Sequence, residues 1–202
     1  YVEGSALDEV SYSRSKAAFD RVEFTAHTLR DVSKVDPSIE IFGKKVDLPI
    51  LFSPTGYTRF MYHVGEPAVA NVAAQNNLIY SLSTMGTTSP KELADQVPQV
   101  RRWFQLYVMQ NRKDSLSVIK QAKDSGFEAL ILTVDTPVSG LRIRDIKNGL
   151  TIPPRIRLST VFAIARKPIW WLNLFTTKKI PAVKEPRGEH KSKKKHSEIV
   201  RK

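Results

Sequence analysis

Four short apolar runs recur along the chain: LPILFSP at 48–54, LIYSLST at 78–84, RWFQLYV at 102–108 and ALILTVD at 129–135. Each reads as a buried strand. Between them the pattern turns helical, in EPAVANVAAQNN from Glu66, SPKELADQV from Ser89 and DSLSVIKQAKDSG from Asp114. Ser89 followed by Pro90 reads as an N-cap and first helical residue, Asp114 as a second N-cap, and Gly126 as a stop. Strand, helix, strand at this spacing predicts βαβ units and a parallel sheet.

Two α/β architectures use that unit, an open doubly wound sheet and a (β/α)8 barrel. No G-x-G-x-x-G follows the first strand, which weakens the dinucleotide-binding form of the open sheet. Polar residues instead fall at the C-terminal ends of successive strands: Thr55, Ser83, Gln105 with Tyr107, and Thr133 with Asp135. A single such residue only caps its strand, but four strands in succession ending in hydroxyl, amide or carboxylate groups match the way a barrel builds an active site. A complete barrel takes roughly 250 residues. The expectation is therefore the first half of a (β/α)8 TIM barrel, about four βα units, preceded by an N-terminal extension.

Composition narrows the chemistry. The 202 residues carry a net charge of +12 with a 41% hydrophobic share, enough for one medium domain with a core. Much of the charge is local: residues 181–202 hold eight Lys/Arg against three Glu and little apolar periodicity, so they are expected to form a solvated, disordered basic tail after a domain at 1–180. Such a run attracts polyanions without specificity, so no specific nucleic-acid partner is expected. The absence of cysteine excludes disulfides, thiolate metal sites and a thiol nucleophile, and no metal site is expected.

No signal-peptide pattern opens the sequence, and no apolar run approaches the roughly 18–20 residues of a membrane span, so a cytoplasmic protein is expected. VFAIARKPIWWLNLF at 161–175 sets Trp170, Trp171 and Phe175 beside Arg166 and Lys167. That mixture suits packing against the rest of a barrel or another subunit; it also suits peripheral contact with the inner face of a membrane. The chain opens on Tyr1 rather than methionine, and is expected to be a fragment.

With SPTG at 53–56, LST at 82–84, WFQLYV at 103–108 and LTVDTPVSGLRIRDIKNG at 132–149 in one order, residues 1–180 resemble the FMN-dependent α-hydroxy-acid dehydrogenases and oxidases. Within that family the chain is most similar to the L-lactate dehydrogenases that pass electrons to a quinone or other acceptor. The resemblance implies FMN as cofactor, oxidation of a small L-2-hydroxy acid such as lactate to pyruvate, and a homo-oligomer for the complete protein. Ser53, Pro54, Thr55, Gly56, Ser83, Gln105 and Thr133 match positions that line the flavin, whose ring edge calls for short neutral donors and acceptors. Thr84 offers a second hydroxyl beside Ser83, and the sequence leaves open which of the two faces the flavin. Gly56 stands where many oxidases of the family have alanine, which leans towards a dehydrogenase.

Tyr107 and Tyr1 match the family's substrate tyrosines, and Arg142 a loop arginine near the substrate carboxylate. Asp135 matches the carboxylate that hydrogen-bonds the catalytic histidine; a carboxylate beside an imidazole raises its pKa and fixes its tautomer. The family's histidine lies in an H-G-G motif of the second barrel half, with a substrate arginine nearby and a flavin-contacting lysine upstream, and no H-G-G occurs in these residues. His63, in MYHVGE, reads as structural. The phosphate pocket of such barrels is built by loops after strands seven and eight. The chain alone is accordingly expected to be inactive and to hold FMN poorly. The alternative from another class is a non-catalytic interaction protein that recruits partners through an exposed barrel edge and the basic tail.

Overall fold

The computed structural model describes residues 4–135, 140–149 and 167–176. The chain divides into two compact units, Tyr1–Val35 with Val138–Pro168, and Asp36–Pro137 with Ile169–Lys202. The expected tail at 181–202 lies outside the described residues.

The first unit contains helices α1 (Val10–Phe19) and α2 (Ile143–Lys147). Helix α1 buries none of its residues. Its N-terminal end is tied to the 141–145 segment by polar contacts: Leu7 N donates to Leu141 O at 2.7 Å, and Arg144 pairs with Glu9.

The second unit holds a hairpin of β1 (Ile39–Ile41) and β2 (Lys44–Val46), and a four-stranded parallel sheet of β3 (Leu51–Thr55), β4 (Ile79–Ser83), β5 (Arg101–Leu106) and β6 (Ala129–Leu132), in the order β3-β4-β5-β6. Its helices are α3 (Thr58–Met61), α4 (Glu66–Gln75), α5 (Pro90–Gln96), α6 (Arg112–Asp124) and α7 (Pro168–Thr176). All four predicted strands are present, and sequential strands are spatial neighbours, as crossover helices require.

The core gathers Ala70 and Ala73 of α4, Ile79 and Leu82 of β4, Leu93 of α5, Phe104 and Leu106 of β5 and Ala122 of α6. Alanines on α4 let that helix sit close to the sheet. Phe104 meets Phe127 edge-on, with ring centroids 6.0 Å apart, a geometry that aligns the ring quadrupoles favourably. At the N-terminal end of the sheet Arg101 donates to the Ile41 carbonyl at 3.0 Å and pairs with Glu128 at 2.9 Å, while Lys44 reaches the same carboxylate at 2.6 Å. Those bonds fasten the hairpin beneath the strands.

Two expectations are corrected. The four strands are not equally buried: β4 is buried at every position, whereas β3 and β6 alternate between partly buried and exposed. Each outer strand has one strand neighbour in this sheet, so its side chains lose contacts on the open side. Asp114 is not an N-cap either, because the helix begins earlier, at Arg112. Asn111 caps it, its side chain accepting from Lys113 N at 3.1 Å, and Asp114 falls in the first turn, where a carboxylate still favours the helix dipole. Ser89 does cap its helix, accepting from Glu92 N at 3.2 Å, and Gly126 takes the left-handed conformation (φ 73°) that ends α6.

One buried carboxylate joins three connections. Glu66, fully buried at the start of α4, accepts from Thr87 N at 2.5 Å, from Thr87 Oγ1 at 2.8 Å and from Thr88 Oγ1 at 2.8 Å. Thr87 Oγ1 in turn accepts from Arg59 N at 3.1 Å. Glu66→Ala would leave these donors buried and unsatisfied, and should destabilise the chain by about 3 kcal/mol, read as a lower denaturant midpoint at unchanged slope.

Tyr80, buried in β4, supplies a pH test. Burial, with the Glu66 carboxylate adding to it, raises its phenol above the ordinary value of 10.0. The folded chain therefore keeps a proton that the unfolded chain loses, so the stability contributed is complete below about pH 10 and declines as pH rises beyond it. Tyr80→Phe should flatten that alkaline decline in thermal melts; an equally steep decline in the variant would show that other groups govern it.

Candidate functional site

The parallel register brings the polar strand ends together. Ser83 of β4 pairs with Gln105 of β5, and Gln105 with Ile131 of β6, so Thr133 follows two residues on, on the same face. Ser83 Oγ donates to Gln105 Oε1 at 3.1 Å, and Gln105 Nε2 donates to Thr133 Oγ1 at 2.5 Å. The backbone fixes which way the amide points. Thr84 N–H, which cannot accept, also approaches Gln105 Oε1 at 3.3 Å, so the carbonyl of the amide must face β4 and its NH2 must face Thr133.

Thr84 is engaged by the backbone of β5. Its hydroxyl donates to the Gln105 backbone carbonyl at 2.6 Å and accepts from Tyr107 N at 3.0 Å, continuing the β4–β5 ladder beyond the last paired strand residues. The hydroxyl left for the row is that of Ser83, which also accepts from Met85 N at 3.1 Å. Ser83 and Gln105 are buried and Thr133 is partly buried. Among the described residues the Thr133 hydroxyl proton has no acceptor. The three side chains thus form a polarised chain of hydrogen bonds ending in a donor at the C-terminal edge of the sheet.

Pro54, Thr55 and Gly56 lie at the end of β3 beside this row. Tyr57 N donates to Met85 O at 3.0 Å, drawing the β3 loop onto the β4 loop. A Cβ at Gly56 would stand 2.9 Å from the Met85 Cβ, closer than real side chains come, so alanine here would force the two loops apart. Tyr57 takes the left-handed conformation (φ 58°, ψ 28°), unusual for a bulky residue and held by the turn into α3. The Thr55 hydroxyl turns back to the Ser53 carbonyl at 3.4 Å.

The remaining predicted residues are placed differently. Asp135 is exposed, two residues beyond Thr133. Tyr107 is partly buried just past β5, anchored through its backbone N–H. Arg142 belongs to the first compact unit, where it pairs with Asp145. Tyr1 lies outside the described residues. His63 is partly buried against Tyr62, ring centroids 4.9 Å apart. Among the described residues no cluster of His, Asp or Glu could hold a metal ion. The sequence reading missed Glu66 and its two threonines, which hold the β4 loop in place; a glutamate directly after a glycine at a helix start was the available signal.

The chain is similar to several known proteins. A Mycobacterium tuberculosis protein provisionally named an L-lactate dehydrogenase is 41% identical over 177 residues, covering 88% of this chain and 43% of that protein. The 2-hydroxyacid oxidase 2 of Rattus norvegicus is 35% identical, with 81% of this chain and 46% of that protein covered. Among solved structures, the monotopic membrane protein (S)-mandelate dehydrogenase superposes with a TM-score of 0.83 at 28% identity, covering all of this chain and 53% of that one. A soluble mutant of the membrane-associated (S)-mandelate dehydrogenase from Pseudomonas putida gives 0.70 at 34% identity, covering 78% of this chain and 45% of that one. The chain spans about half the length of the proteins it matches, and its four-stranded sheet is part of a (β/α)8 barrel. The profile of the FMN-dependent dehydrogenases matches residues 1–201, and the chain belongs to that family.

Proposed function

We propose that this chain forms the flavin-ring side of an enzyme that oxidises an L-2-hydroxy acid, with L-lactate the first substrate to test. The observation that carries the reading is the Ser83–Gln105–Thr133 row at the C-terminal edge of a parallel sheet. Its groups are neutral, and they fit the carbonyl and ring-nitrogen edge of FMN without placing a charge against it. Gly56 adds no side-chain bulk at the end of β3, where Met85 leaves no room for one. In this reading Pro54, Thr55, Gly56, Ser83, Gln105 and Thr133 hold the flavin, which when bound accepts a hydride equivalent from the substrate carbon.

The chain's other residues then act on the substrate. Tyr107 offers a phenolic hydroxyl to the substrate carboxylate, with Tyr1 and Arg142 as further contacts. Asp135 fixes the tautomer and raises the basicity of a histidine contributed by the rest of the barrel, so that the imidazole takes the hydroxyl proton. The flavin phosphate is held by loops beyond this chain. On this view the 202 residues alone turn over no substrate.

The M. tuberculosis relative's name supports lactate, and the Rattus norvegicus relative's name supports 2-hydroxy acids as a class. A quinone as electron acceptor, with peripheral contact between the 161–175 segment and a membrane, is supported by the membrane-associated neighbour and by α7, where Ile169 and Leu172 are exposed. No helix among the described residues is long and apolar enough to cross a membrane. Residues 161–166 lie outside the described residues.

The test is a full-length protein in which this chain is joined to a second barrel half carrying H-G-G, assayed with L-lactate and an artificial electron acceptor. Asp135→Asn should lower kcat by about 10²-fold or more with FMN still bound; unchanged turnover would remove Asp135 from the mechanism.

Gln105 and Tyr107 separate cofactor from substrate. Gln105→Ala breaks the row and should release FMN on gel filtration, whereas Tyr107→Phe keeps the ring and should raise KM for lactate with flavin retained. The reverse pattern would overturn the assignment of the row to the flavin.

A further inference from the structure

A cavity of about 180 Å³ in the second unit is lined by Arg59, Tyr62 and His63 from the α3 region and by Ile169, Trp170 and Asn173 of α7. It shares no lining residue with the Ser83–Gln105–Thr133 row. Its exposed surface is mostly apolar, and Arg59 is one of its lining residues. Arg59 is only 7% exposed, and among the described residues its buried Nε and Nη1 have no hydrogen-bond partner.

A buried arginine normally pairs with a carboxylate, because its charge cannot be shed by deprotonation. The Glu66 carboxylate is already committed: it accepts from Thr87 and Thr88, and it forms no ion pair with the guanidinium. Only the backbone N–H of Arg59 enters that network, through Thr87. Nor does the arginine rest loosely against its neighbours. A Cβ at Gly65 would stand 2.5 Å from the Arg59 Cγ, so the glycine, at φ 66°, is what allows the side chain to pass underneath and reach the cavity. Among the described residues the fold thus leaves this cation without a carboxylate partner, beside a small and largely apolar cavity.

We infer that this cavity binds a small monocarboxylate, its carboxylate facing the Arg59 guanidinium and its short apolar body lying among Tyr62, Ile169 and Trp170. The volume suits a few heavy atoms. A largely apolar lining favours a ligand with one charged end over a fully hydrated inorganic anion, whose remaining oxygens would have to shed water against apolar walls. His63 is a further lining residue. Binding at this site involves no flavin.

Calorimetric titration of the purified 202-residue chain, without FMN, tests it with isobutyrate, its neutral isostere isobutyramide and inorganic phosphate at matched ionic strength. The expected result is saturable millimolar binding of isobutyrate, and none of the amide or of phosphate. Arg59→Met should abolish it, and Ile169→Glu, a change at a well-exposed lining position, should weaken it about tenfold through like-charge repulsion. Circular dichroism monitors folding; if Arg59→Met does not fold, the acid–amide comparison on the unaltered chain and the Ile169→Glu titration decide. Absence of saturable isobutyrate binding, equal affinity for the amide, phosphate binding in its place, or isobutyrate binding undiminished in folded Arg59→Met or in Ile169→Glu would each overturn the inference. Because no flavin is present, none of these outcomes bears on the oxidation of hydroxy acids.

Discussion

The loops above the sheet depend on the Glu66 carboxylate. It sits at the first residue of α4, where the helix N-terminus favours negative charge, and its oxygens are satisfied by the backbone and hydroxyl groups of Thr87 and Thr88. That fixes the segment leaving β4, and so fixes Met85, against which Gly56 and Tyr57 of the β3 loop are seated. Through Thr87 the same carboxylate steadies the backbone of Arg59. Three connections that are remote in sequence are therefore positioned by one group. A hydrogen-bonded buried carboxylate is suited to this, because its acceptor oxygens cannot be satisfied by apolar packing, and loss of any donor is costly.

With the loops held, the register of the strands determines the chemistry. Parallel pairing places Ser83 beside Gln105 and carries the row on to Thr133, all three on one face. Neutral groups suffice there, since a buried charge would need a partner and the row has none to offer. The amide at its centre accepts from one strand and donates towards the next, so each member orients its neighbour. The ionisable residues, Asp135 and Arg142, lie beyond the strand ends, in an exposed position and in the other compact unit respectively.

The strands and their polar ends were legible in the sequence because apolar runs of strand length, separated by helices with clear start and stop residues, leave few alternatives. The β1–β2 hairpin was not: three-residue strands joined through Phe42 and Gly43, both at positive φ, carry too little periodicity to be seen. Asn111 lost to Asp114 as an expected cap because both residue types cap helices, and only the start of the helix separates them. Ser83 and Thr84 could not be told apart until the ladder showed one hydroxyl engaged by the backbone of β5. Arg59 and Glu66 escaped notice for a different reason. Charged residues next to helices usually lie in solvent, and burial of both is a tertiary fact with no local signature, Arg59 passing under a glycine at 65 and Glu66 meeting the threonines of the β4 loop.

The exposure pattern ties the fold back to the family. Leu51 on β3 and Leu130 and Leu132 on β6 are large apolar residues left open to solvent, while the strands between them are closely packed. A parallel sheet is stable when its faces are covered, and a barrel covers its edges by joining first strand to last. Four strands with apolar side chains exposed at both outer positions are what a section of such a barrel presents. The proteins this chain matches are about twice its length, which leaves room in them for the strands and helices that would close it. Closure would also put a second set of strand ends across from the Ser83–Gln105–Thr133 row. The same contacts that complete the core would then add to the site, so burial of Leu130 and Leu132 and, on the proposed reading, placement of a histidine beside Asp135 are two consequences of one assembly.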